Sequence, residues 1–244
     1  MTETTSTAAD AAPTVVLVHG AFADSSSWNG VIPDLLAQGY QVVAAANPLR
    51  GVTSDADYVA SVLAGITGPI VLVGHSYGGI VISNAAAGSG NVKALVYVAG
   101  FAPDAGESAN DLAGRFPGST LGPALAPFQS PGGGTDLYIR PDVFWTQFAA
   151  DVPEADAALM AATQRPVTAA ALTEGSGDPA WKTVPSWFVY GELDKNIPAA
   201  AEVFMADRAG AKGAVEVPGA SHVVMISQPQ AVTDVILTAI DAVS

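Results

Sequence analysis

The chain of 244 residues contains no cysteine. That excludes disulfides, thiol nucleophiles and thiolate metal sites, and it leaves the redox compartment unreadable from cysteine usage. Apolar runs are short and broken by Gly, Pro or polar residues. None approaches the roughly 20 residues that a membrane span requires. Basic residues are scarce, 9 against 23 acidic ones, for a formal net charge of -14. A field of that sign repels a phosphate backbone, so nucleic acid is not an expected partner, and highly anionic substrates are disfavoured. The opening "MTETTSTAADAAP" has neither a basic n-region nor an apolar h-region, so it does not read as a secretory signal, and a cytoplasmic location is expected. Its composition suggests a polar, disordered tail over residues 1–12.

Half of the residues are hydrophobic and only 13% are charged. That balance suits a compact chain whose sheets are well covered. "TVVLVHG" (14–20), "YQVVAAANP" (40–48), "GPIVLVG" (68–74) and "VKALVYVAG" (92–100) are continuous apolar runs, as buried parallel strands require. Helical patterns lie between them: "SSWNGVIPDLLAQG", "TSDADYVASVLAGITG" and "GGIVISNAAAGSG". In the second, Thr53 or Ser54 is the expected N-cap, with Asp55 and Asp57 at the positive end of the dipole. The alternation predicts an α/β fold with a mostly parallel, doubly wound sheet.

From residue 104 to 182 the alternation stops. Gly and Pro are frequent, helices are expected near "RPDVFWTQFAAD" and "PEADAALMAAT", and "SPGGGTD" (130–136) reads as a mobile loop. The alternation returns with "PSWFVYGELD", a helix near "PAAAEVFMADRAG", the short strand "GAVEVPG" and a closing helix from about Gln228 to Ala242. The expected organisation is therefore a core of residues 13–103 and 183–244 carrying a helical lid inserted at 104–182.

"VLVGHSYGGIV" (71–81) places Gly-x-Ser-x-Gly between a strand and a helix, the context in which that pattern marks a nucleophile elbow. Ser76 would sit on a strained turn above the carboxyl end of the sheet, because side chains at Gly74 and Gly78 would collide with neighbouring backbone. The backbone N–H of Tyr77 opens the helix, where it can donate to a developing oxyanion. A Gly-rich turn with an incidental serine is the bland alternative.

A serine alcohol needs a base and an orienting acid. His75 adjoins Ser76 but points away and reads as a packing residue. His19, in "HGAF", reads as shaping a loop whose backbone supplies the second oxyanion donor, with Ala21 the candidate and Phe22 its neighbour. His222, in "VPGASHVVMIS", follows the last strand, where the order Ser, Asp, His calls for a base. For the acid, Asp194 ends an apolar strand in "VYGELDKNIP". Asp104 in "FAPDAGES" is the stronger rival and Glu192 a weak one. Lys195 reads as a solvated charge.

"LVHGAF", "GHSYGG", "GELDKNIP" and "GASH" resemble the oxyanion loop, elbow, acid loop and histidine loop of the α/β-hydrolase superfamily. "VIPDLLAQGYQVVAAANPL", "ALVYVAGFAPDAGES" and "WKTVPSWFVYG" are similar to a narrower branch, the bacterial pyrethroid-hydrolase-like carboxylesterases, with plant methylesterases and hydroxynitrile lyases as more distant relatives. The resemblance spans nearly everything from Thr14 to Ala242. It implies a serine carboxylesterase with Ser76 as nucleophile, His222 as base and Asp194 as orienting acid, with Ala21 and Tyr77 lending oxyanion donors and with no cofactor or metal. The lyases of the branch carry a Lys after the catalytic His and a Thr after the first-strand His. Here those positions are Val223 and Gly20, which disfavours cyanohydrin cleavage.

Aromatic residues suggest an apolar substrate pocket. Phe22, Trp28, Tyr77 and Phe101 fall near the carboxyl edge, and Phe116, Phe128, Tyr138, Phe144, Trp145 and Met160 fall in the insertion. Phe22, Trp28, Phe101, Phe144, Trp145 and Val223 are the expected pocket residues, for a small to medium hydrophobic ester. Perhydrolase or haloperoxidase-type chemistry on the same triad, and a ligand-binding protein with vestigial turnover, are the alternatives. The sequence leaves the oligomeric state open, with a homodimer one option.

Overall fold

A computed structural model describes residues 12–243. The expected polar tail therefore lies, but for Ala12, outside the described residues. The chain opens with β1 (Thr14–Val18), α1 (Ile32–Ala37), β2 (Gln41–Ala45), α2 (Val52–Ala64), β3 (Ile70–Ser76), α3 (Tyr77–Ala85) and β4 (Val92–Gly100). The segment that follows, hereafter the cap, holds α4 (Ala109–Ala113), α5 (Leu121–Ala124), β5 (Leu125–Gln129), β6 (Thr135–Ile139), α6 (Pro141–Phe148), α7 (Glu154–Thr163), β7 (Val167–Thr168) and α8 (Ala169–Thr173). The chain closes with β8 (Ser186–Gly191), α9 (Ala199–Ala209), β9 (Gly213–Val217), α10 (Val224–Ser227) and α11 (Pro229–Asp241).

The main sheet has six parallel strands in the order β2-β1-β3-β4-β8-β9. The runs Val15–Val18, Ile70–Val73 and Leu95–Val98 are buried on every residue, as expected of strands covered on both faces. Helix α3 packs on β1, β3 and β4 with α2 beside it, and α11 packs on β3, β4 and β8. Strand order reverses between β1 and β3, and ligands of open α/β sheets gather at the carboxyl ends of strands at such a point. The loop "HGAF" leaves β1 there, and Ser76 ends β3. Among the described residues no helix is long and apolar enough to cross a membrane.

Three local expectations are corrected. The cap is not purely helical, because β5, β6 and β7 form a second, antiparallel sheet. Pro127 breaks the pattern of a strand, but β5 lies at the sheet's edge, where a missing N–H is tolerated. Of "SPGGGTD", residues 130–134 form the turn joining β5 to β6, closed by Ser130 N–H to Gly134 O (3.1 Å) and Gly133 N–H to Ser130 O (2.9 Å), while Thr135 and Asp136 already belong to β6. Finally, neither Thr53 nor Ser54 caps α2. Gly51 holds the cap position, and the Glu174 carboxylate accepts from Val52 N (2.7 Å) and Thr53 N (3.0 Å). An acceptor 122 residues away replaces a local one.

Candidate active site

Ser76 ends β3 and opens α3 with φ 53° and ψ -123°. A non-glycine residue in that region costs on the order of 1–3 kcal/mol and persists only where its surroundings impose it. The neighbouring glycines impose it. A Cβ on Gly74 would lie 2.6 Å from the Gly78 carbonyl oxygen, and one on Gly78 would lie 2.5 Å from that of Val18. On the other side, a Cβ on Gly20 would lie 2.6 Å from Ser76 Cβ, so the loop after β1 runs directly over the serine.

Ser76 Oγ donates to His222 Nε2 at 2.9 Å, and His222 Nδ1 donates to Asp194 Oδ2 at 2.6 Å. All three side chains are buried. Asp194 Oδ1 accepts from Asn196 N (2.7 Å) and Ile197 N (3.0 Å), which fixes the carboxylate plane. An ionised carboxylate only accepts, so it holds the imidazole proton on Nδ1 and leaves Nε2 free to take one. The rivals lie elsewhere: Asp104 pairs with Lys182 at 2.6 Å on the surface, and the exposed Glu192 accepts from Gly219 N at 2.9 Å.

His75 is buried under the site. Its Nε2 donates to the His222 carbonyl at 3.1 Å, and the two rings stand 4.8 Å apart. Burial, and secondarily His222, pushes the His75 ring well below the usual histidine range, so it stays neutral. His19 is pushed down to about 4 by burial. Its Nδ1 donates to Gly20 O (2.9 Å) and its Nε2 accepts from Asn47 N (3.0 Å), while Asn47 Nδ2 donates to His19 O (3.0 Å). These bonds pin the loop over Ser76, and Phe22 in that loop takes a left-handed backbone, φ 61°.

The residues expected in a pocket divide. Phe22 and Phe144 both meet Phe148, at 6.2 and 5.1 Å between ring centroids. Phe148 itself stands 5.0 Å from the His222 ring and 6.5 Å from that of His75. Phe148 escaped sequence reasoning, though its four-residue spacing from Phe144 placed both on one face of α6. Trp145 lies on the other face, 37% exposed, with its indole N–H donating to Val152 O at 3.0 Å. Trp28 is buried edge-on against His75 at 6.4 Å, and Val223 is buried. Phe101 is buried, and its backbone N–H donates to Ser76 O at 3.1 Å. The Tyr77 phenol turns away from Ser76's side chain and donates to buried Asp55 at 2.9 Å. Lys195 is exposed but donates to Thr146 O in the cap at 3.0 Å, a bond its reading as a solvated charge did not anticipate.

Glu202 on α9 is a further buried carboxyl, after Asp194 and Asp55, and no local pattern in the sequence marks it. Neither of its oxygens has a hydrogen-bond partner among the described residues. Burial, with the Asp194 charge adding to it, pushes Glu202 well above the ordinary 4.5. It is neutral in the fold and ionised in the unfolded chain, so stability falls as pH rises from the unfolded value toward the folded one. Glu202→Gln removes that loss. Its melting temperature is expected to match the parent's near about pH 4 and to exceed it by a growing margin toward about pH 8. A constant difference across that range would show that Glu202 does not titrate this way.

Residues 15–235 match the alpha/beta hydrolase family, and the chain belongs to it. Among curated proteins it is similar to methylesterase 1 of Arabidopsis thaliana, 24% identical over 251 residues, covering 93% of this chain and 95% of that one. Among solved structures it resembles polyneuridine aldehyde esterase (TM-score 0.80, 21% identity, 93% of this chain and 99% of that one). A pyrethroid hydrolase gives a TM-score of 0.76 at 21% identity, over 94% and 98% of the two chains. A tomato methylketone synthase I variant gives 0.79 at 20%, over 95% and 99%.

Proposed function

We propose that the protein is a serine carboxylesterase that needs no cofactor and hydrolyses small to medium hydrophobic esters through an acyl-enzyme. The observation that carries this reading is the continuous hydrogen-bonded line that starts at Ser76 on its strained elbow and runs through His222 to Asp194. Ser76 attacks the ester carbonyl while His222 Nε2 takes its proton. Asp194 stabilises the imidazolium that forms. The backbone N–H groups of Ala21 and Tyr77 receive the charge on the tetrahedral oxygen. Tyr77 is the first residue of α3, where the amide has no partner within the helix. His222 then returns its proton to the departing alcohol, and deprotonates a water that cleaves the acyl-enzyme.

An ester as substrate is supported by the likeness to a methylesterase and by the esterase and pyrethroid hydrolase among similar structures. A hydrophobic substrate is supported by Phe148 beside His222, with Phe22 and Phe144 packed on Phe148. A cavity of about 430 Å³ next to Phe22, walled by Val152, Leu159, Met160 and Ile226, offers further room of the size that small ligands occupy. Neither Ser76 nor His222 lines it, so in this reading it would hold a substrate's outer part.

The test is hydrolysis of p-nitrophenyl esters of increasing acyl length by the parent and Ser76→Ala side by side. Turnover that peaks at short to medium acyl chains and is lost with Ser76 is the expected result. No turnover of any ester by the parent would contradict the esterase reading.

A further inference from the structure

The cap is bonded to both loops that carry the triad's imidazole and carboxylate. Gln147, near the end of α6, is only 7% exposed. Its Nε2 donates to Lys195 O (3.0 Å) and to Asn196 Oδ1 (3.1 Å). The Lys195 carbonyl only accepts, so it fixes Nε2 on that side, and Oε1 accepts from Thr120 Oγ1 (2.7 Å). Asn196 returns the contact, its Nδ2 donating to Gln147 O at 3.3 Å. Its backbone N–H is the one that donates to Asp194 Oδ1 at 2.7 Å. The path from Gln147 to the triad carboxylate is thus one residue long. On the other side, Ser221 Oγ donates to Asp151, just beyond α6, and Ser221 directly precedes His222. Phe148 lies between these two anchor points with its ring against His222.

We propose that Gln147 is a positioning residue for the triad's acid, and that the end of α6 is a fixed brace across the acid and histidine loops. The proposal rests on the triad assigned above. A side chain that merely filled space would need no particular polar atoms. Gln147 uses both ends of its amide, and two of its three contacts lie on the two residues that follow Asp194. Losing it leaves Asn196 Oδ1 without the cap's donor and loosens the turn that aims Asp194 at His222, although Thr120 N–H still donates to Lys195 O at 2.9 Å. A displaced Asp194 stabilises the imidazolium less and so weakens the base that takes the Ser76 proton.

Gln147→Leu keeps the volume and removes the hydrogen bonds. The readouts are the labelling rate of Ser76 by a fluorophosphonate probe, kcat and KM on a p-nitrophenyl ester, the acid midpoint of kcat/KM against pH, and the melting curve. A folded Gln147→Leu protein is expected to label and turn over on the order of 10- to 100-fold more slowly, as misplacement by about an ångström does. KM should hold while the acid midpoint moves to lower pH. Losses in Gln147→Leu and Asn196→Ala should not add in the double variant, because both break one linkage. Thr120→Val, which leaves the amide in place but unpinned, should show the same shift in smaller measure, and it decides the matter if Gln147→Leu does not fold. Parental labelling and an unmoved midpoint in the folded variant, or additive losses, overturn the brace alone. A parent that the probe does not label, or labels as it does Ser76→Ala, overturns the triad reading and the brace with it.

Discussion

Ser76→Ala is expected to lose about 10⁴- to 10⁶-fold in kcat while melting close to the parent. In the proposed mechanism the three side chains act as a unit, so the loss is large. Without Oγ no covalent intermediate forms, and His222 Nε2 has no alcohol proton to take. What survives is the oxyanion donors and the binding surface, which by themselves leave a residual acceleration of about 10³- to 10⁴-fold over water. The fold should tolerate the change, because the strained φ of 53° at position 76 is imposed by Gly20, Gly74 and Gly78 around it and not by the hydroxyl. Measured kcat within tenfold of the parent would remove Ser76 from the chemistry.

Asp194→Asn is expected to lower kcat by about 10⁴-fold with the geometry preserved. An amide at this position presents a nitrogen donor toward His222 Nδ1 and so favours the tautomer with its proton on Nε2, the wrong one for a base facing Ser76. Asp104→Asn, which alters a surface pairing with Lys182 and a local bond from Ala105 N, should leave kcat near parental. The comparison of kcat for the two variants decides between the acids that sequence reasoning left in competition. A large loss in Asp104→Asn with parental activity in Asp194→Asn would reverse the assignment.

These predictions draw on features of unequal sequence range. The strands β1, β3, β4 and β8 were legible because a strand buried on both faces is a continuous apolar run, β-branched and aliphatic in the first three and mainly aromatic in β8. The elbow was legible because Gly74, Ser76 and Gly78 answer a crowding that arises within a few residues. With only three histidines in the chain, chain order alone singled out His222. The cap was harder to read. Pro127 disguised an edge strand, and the glycines of 132–134 read as a mobile loop when they form a hairpin turn.

Periodicity, local crowding and composition are short-range, and they alone settled the parallel sheet, the exclusion of cysteine chemistry and the place of the strained serine. Tertiary packing decided that Asp194 and not Asp104 meets His222, that Glu174 caps α2, that Phe148 stands against the imidazole, and that Gln147 joins the cap to the acid loop. Each of those contacts pairs groups between about 28 and 122 residues apart. Closing such distances depends on how the layers stack and which polar groups burial would otherwise strand. No local pattern of residues encodes that choice, because the sequence around each partner is the same whichever group stands opposite it in the fold.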